Sequence, residues 1–211
     1  MRYFLSIFRQ SVMLSFRKGG GAMGACAFYI ITIALFIFAM GPQMVSSYTT
    51  SVMSISMLLA IITTLPLMFE RDYEDGSLEQ IILQPVLLEI MVLAKICGSW
   101  CSNILPILIV SPLIAISASL SVQQILVSLS VLTVASFVMV ALGAIGAALT
   151  IGSKRGGLLQ ALVIMPLYIP ILIFSSTNSG EHGLLFLSGI LLFLLPLSCY
   201  VCAALIRISS D

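Results

Sequence analysis

Polar positions in this chain are gathered into short clusters, and the stretches between them are apolar on every side. Six charge-free runs stand out, at 22–41, 51–69, 96–118, 125–151, 158–175 and 184–206, and none contains Asp, Glu, Lys, Arg or His. Crossing about 30 Å of hydrocarbon at about 1.5 Å per helical residue takes about 20 apolar residues, which each run supplies. A helix that is apolar all round has no face for water, and lipid is its natural surrounding. The pattern therefore predicts an all-α, polytopic membrane protein with six transmembrane helices.

The polar remainder predicts the orientation, because Lys and Arg of short loops stay on the cytosolic side. Arg2, Arg9, Arg17 and Lys18 precede the first run, Arg71 and Lys95 flank the second-to-third connection, Lys154 and Arg155 sit in the fourth-to-fifth, and Arg207 follows the last. The alternate loops, 42–50, 119–124 and 176–183, hold no Lys or Arg. Six crossings with both termini in the cytosol put every cation inside; an odd number would destroy the asymmetry.

Two clusters carry more pattern than separation of spans requires. At 100° per residue Phe4, Phe8, Val12 and Phe16 form a stripe with Leu5 beside it, and Arg2, Ser6, Arg9, Gln10 and Arg17 lie opposite. This is the pattern of an amphipathic helix in the membrane interface, with Phe4, Phe8 and Phe16 toward lipid and Arg9 and Arg17 toward headgroups, the plainer alternative being a basic leader that only enforces topology. The apolar run after it is span-length and lacks a small-residue cleavage pattern, so it is read as retained. Gly19, Gly20 and Gly21 allow a sharp turn into the first span.

The second cluster, 70–95, is the charge-dense part of the chain, with Glu70, Arg71, Asp72, Glu74, Asp75, Glu79 and Glu89. Gly76 permits a turn, Ser77 can cap a helix, and Gln80 completes a capping box. Leu78, Ile81, Ile82 and Leu83 give that helix one apolar side, and Pro85 ends or bends it. The plainer alternative is a solvated loop that only keeps two spans apart.

Composition agrees: 60% hydrophobic against 8% charged residues cannot coat a soluble globule of 211 residues, and a net charge of +1 argues against a nucleic-acid partner. No Gly is followed by Lys, so the chain lacks a phosphate-cradling Gly-Lys-Ser/Thr loop. The spans offer no base or ligand for intramembrane catalysis, and no catalytic residue is assigned. His182 is the sole histidine, in the last outer loop, and reads as solvated rather than as an axial metal ligand. Cys97 with Cys101, and Cys199 with Cys202, share helix faces inside spans; packing is favoured over a metal or redox site. Gly143, Ala144, Gly146, Ala147 and Ala148 form a small-residue patch for close helix approach, either within the bundle or between subunits. Among the span prolines Pro166 and Pro170, around Tyr168, are the first candidates for a bend, with plain packing irregularity the alternative.

The run Phe69-Glu70-Arg71, then Asp75-Gly76-Ser77-Leu78-Glu79-Gln80, Pro85 and Lys95, resembles the cytosolic signature of ABC-2-type permeases. Together with Ser111-Pro112-Leu113, with Lys154-Arg155-Gly156-Gly157, and with Pro166 and Pro170, it resembles the haem exporter protein B family, CcmB, of cytochrome c maturation, over nearly the whole chain. The resemblance implies a single ABC-2-type domain over 1–211: a leader at 1–21, six spans, and a cytosolic coupling segment at 70–95 whose short helix docks on an ATPase. It implies a cytosolic ABC ATPase subunit, a haem-handling membrane protein, a haem chaperone facing the periplasm and a second permease copy as partners. The place would be a bacterial-type inner (cytoplasmic) membrane. No cofactor is expected on this chain; ATP binds the partner, and haem is the candidate substrate. Closure of the ATPase would push the helix begun at Ser77 and move the spans attached through Glu70 and Lys95, either exporting haem or releasing a haem-loaded chaperone. Two other readings remain, a generic ABC-2 permease for another amphiphile and a non-transporting assembly scaffold.

The orientation is checked with reporters fused after Gly76. A green fluorescent protein there is expected to fluoresce and alkaline phosphatase to be inactive; phosphatase activity at that site would reverse the topology.

Overall fold

The computed structural model describes residues 7–9, 11–13, 21–40, 42–76, 87–118, 120–151, 156–176 and 180–210. The described residues fold into α1 (Ala22–Met40), α2 (Pro42–Thr64), α3 (Leu67–Glu74), α4 (Leu88–Ser117), α5 (Val122–Leu149), α6 (Gly156–Ser176) and α7 (Gly180–Ser210), with no strand among them. Six stretches are long and apolar enough to cross a membrane: Ala22–Ala39, Tyr48–Glu70, Leu88–Ser117, Val122–Leu149, Leu159–Ser176 and Gly183–Ile208. They coincide with the six runs expected from hydropathy, and the chain is a multi-pass membrane protein.

The core sits around α5, which packs against α2, α3, α4, α6 and α7. Its small residues explain how so many neighbours fit. A Cβ added to Gly143 would fall 2.3 Å from Leu65 Cδ1, and one added to Gly146 would fall 1.9 Å from Ile164 Cδ1 and 3.0 Å from Gln160 Cγ. Both glycines, with Ala144, Ala147 and Ala148, are buried inside the subunit, which settles the small-residue patch as an internal contact.

In hydrocarbon a polar side chain must find a partner within the protein. Gln160 Nε2 donates to the Gly143 carbonyl at 3.1 Å and Tyr168 donates to the Met139 carbonyl at 2.8 Å, tying α6 to α5. Trp100 Nε1 donates to Ser136 Oγ at 3.0 Å and its ring packs against Phe137, tying α4 to α5. Ser111 gives its proton to the Ile107 carbonyl at 2.8 Å, so Tyr29 is the donor in the 2.9 Å hydroxyl pair that joins α1 to α4.

The bend expected at Pro166 and Pro170 is not where the chain breaks: α6 runs through both residues as one helix. The interruption falls at Leu65 and Pro66, between α2 and α3. Proline lacks an N–H and disfavours helical geometry in the residue before it. The α2 ladder accordingly closes with Leu65 N donating to Ile61 O, and a fresh turn opens with Met68 N donating to Leu65 O. A second irregularity lies at Tyr48, with φ −117° and ψ 15°. His182, expected in a loop, belongs to the first turn of α7.

The tight seat of Gly146 predicts that Gly146→Leu lowers stability by about 1–3 kcal/mol through overpacking. Gly189→Leu, where an added Cβ meets nothing within 4 Å, should melt as the parent does in detergent.

Candidate functional site

Asp72, Glu89, Lys95 and Arg207 meet at one end of the bundle, where α3 leaves the second span and α4 begins the third. Past Pro66 the sequence Leu67–Glu74 resumes as a helix of 8 residues. It places Met68, Phe69 and Asp72 on one side, at the one-turn spacing that stacks side chains over each other. Gly76 closes it with φ +65°, a left-handed conformation that glycine adopts without steric cost, and its N–H donates to Tyr73 O at 3.2 Å. Glu70, Asp75 and Gly76 are exposed. Ser77, Leu78, Glu79, Gln80 and Pro85, where the coupling helix was expected, lie outside the described residues, as does the side chain of Arg71.

The third helix starts at Leu88, earlier than the expected limit of the coupling segment at residue 95. Glu89 and Lys95 are therefore helical residues of the span rather than loop residues. Lys95 is only 9% exposed and is the single buried charged residue among those described. Its ammonium donates to the Met68 carbonyl at 3.0 Å, pairs with the Asp72 carboxylate, and stands 4.9 Å from the centre of the Phe69 ring. A carbonyl, a carboxylate and a π face thus replace the water that a cation loses on burial.

Other elements gather at the same end. The described turns 7–9 and 11–13 of the leader are helical, with Ile7 buried, Phe8 half-buried and Arg9 exposed. A Cβ on Gly98 would come within 2.8 Å of Ser11 Cβ, so the leader lies directly on α4 there. The face expected to look into lipid thus has one edge, Ile7 and Ser11, against the protein; Phe4, Phe16 and Arg17 lie outside the described residues. Gly157, in the first turn of α6, abuts Pro66, with an added Cβ 3.4 Å from Pro66 Cγ. This brings the start of the Gly156-Gly157 segment to the break, while Lys154 and Arg155 lie outside the described residues. Arg207 Nη2 lies 3.7 Å from Glu89 Oε1, linking α7 to α4.

The ties made by Lys95, Gly98 and Glu89 were not anticipated from spacing, since each partner is distant in the chain. A cation about two turns inside an apolar helix was the signal for Lys95, because intramembrane charges need partners.

Among the described residues no three His, Cys, Asp or Glu side chains are grouped to hold a metal ion. The five cysteines are free thiols, Cys199 and Cys202 buried, Cys26, Cys97 and Cys101 half-buried. A void between α2 and α6, lined by Ile62, Leu65, Gln160, Ala161, Ile164 and Tyr168, measures about 10 Å³, room for about one water.

The profile of a protein family described as CcmB protein matches residues 2–209. Proteins named Heme exporter protein B are similar throughout. That of Pseudomonas aeruginosa is 38% identical over 217 residues, covering 98% of this chain and 97% of its own length. That of Escherichia coli is 36% identical over 216 residues, covering 98% of each. That of Haemophilus influenzae is 32% identical over 218 residues, covering 99% of each.

The two ion pairs at this end should differ in strength. Lys95→Met strands a largely buried carboxylate and is expected to cost about 3 kcal/mol or more. Arg207→Ala removes a pair whose arginine side chain is 61% exposed, and should cost under about 1 kcal/mol. Thermal melts of both variants in detergent check the order, and equal losses would contradict it.

Proposed function

Given that this chain belongs to the CcmB family, we propose that it is the permease subunit of an ABC transporter complex in cytochrome c biogenesis, seated in the bacterial inner membrane with both termini in the cytosol. A partner subunit hydrolyses ATP, and this chain has no ATPase site of its own. The observation that carries the proposal is the anchoring of an acidic connection onto the third span through Lys95. An exposed polar segment fastened to a transmembrane helix is what force transfer from a cytosolic motor requires. On this proposal the leader lies in the membrane interface, and the coupling segment 70–95, with the helix expected to begin at Ser77, meets the ATPase.

The names of the relatives support haem as the substrate. On this reading a haem path runs along apolar faces shared by two permease copies. A second reading, favoured by apolar runs that hold no charge and no histidine to partner a haem propionate or iron, is that ATP-driven motion releases a haem-loaded periplasmic chaperone from a haem-handling membrane protein.

Glu79→Lys reverses charge at the docking segment. It is expected to lower both ATP turnover of the assembled complex and cytochrome c maturation about tenfold, equivalent to about 1.4 kcal/mol. Unchanged values would overturn ATP coupling through this segment. Inverted vesicles bearing the whole complex separate the two readings, since export predicts haem accumulation in step with ATP consumption and chaperone release predicts none.

A further inference from the structure

A push arriving at the acidic connection could enter the bundle through the second span or through the third. Both routes are covalent, since α3 follows α2 and the connection runs on into α4 at Leu88. The route into the second span is interrupted at Leu65 and Pro66, where the hydrogen-bond ladder stops and restarts. A helix of 8 residues does not hold its shape alone. Beside the burial of Phe69 and the packing of α3 on α5, the polar tie that fastens α3 to the third span is Lys95, which engages the Met68 carbonyl, the Phe69 ring and the Asp72 carboxylate together.

Lys95 stands on a helix that continues from Leu88 to Ser117 and carries Ser111, the partner of Tyr29 on α1. Movement of α3 is thus transmitted along α4, while the Leu65–Pro66 break lets the second span stay in place. We infer that Lys95 is a positioning residue that fastens the acidic connection to the third span, with Pro66 as the hinge that spares the second. This rests on the proposed meeting of the connection with an ATPase; the fastening itself is a property of this chain. A buried lysine is costly in a membrane, and an apolar side chain would fill the same volume more cheaply. A role in holding α3 accounts for the charge.

The test uses the full chain in nanodiscs and the neutral pair Lys95→Met with Asp72→Asn, which removes the tie without leaving an unpaired charge. Hydrogen exchange over 67–76 is expected to quicken about tenfold or more, with exchange over 122–149 unchanged. Asp72→Asn alone, which keeps Lys95 on the Met68 carbonyl, should give a smaller increase of about threefold and serves if the pair does not fold. Unaltered exchange in either variant overturns the fastening. In the assembled complex the neutral pair should retain ATP turnover while cytochrome c maturation falls about tenfold; Lys95→Arg should restore maturation at least in part. Parental maturation in the neutral pair would reduce Lys95 to charge balance and overturn its positioning role. If the parent chain leaves its companion ATPase's turnover unchanged while the exchange result holds, the ATPase coupling fails and the fastening stands.

Discussion

In hydrocarbon there is no water to complete an unpaired hydrogen bond or solvate a charge, and this one constraint organises the molecule. The backbone must be helical through each span, since only a helix satisfies its own N–H and C=O groups. Polar side chains inside the bundle then become fasteners. The Tyr29–Ser111 pair, Trp100 with Ser136, and Gln160 and Tyr168 on the carbonyls of α5 each join neighbouring helices at one point. Lipid tails are as apolar as leucine, so packing and these few bonds, rather than expulsion from water, decide which helices meet. The close seats of Gly143 and Gly146 do the rest by letting Leu65 and Ile164 approach the backbone of α5.

Lys95 is where the same constraint reaches function. A cation in this position is stable only with its three partners on α3, and these join α3 to α4 beside the burial of Phe69 and the packing of α3 on α5. On the proposed reading, structural necessity and force transfer lie in one side chain. The neighbouring contacts, Ser11 on Gly98, Gly157 against Pro66 and Glu89 with Arg207, draw the leader, α6 and α7 to the same end of the bundle. Motion imposed there acts on several helices through short, direct contacts.

The division between what was readable in residue order and what was not follows from the range of each interaction. Six spans were determined by local composition, because membrane crossing depends on about 20 consecutive apolar residues and on nothing farther away. The polar cluster at 70–95, the family resemblance and the turn at Gly76 were likewise local. Tertiary structure decided everything that depends on a distant partner. It made the small-residue patch of α5 internal, and drew Glu89 and Lys95 into α4. It set the break at Pro66, where Gly157 abuts the turn, and left Pro166 and Pro170 inside an unbroken helix. Sequence by itself established that a lysine stands near the start of the third span; only the fold, by bringing α3 across it, determined that the lysine joins two helices instead of marking a boundary.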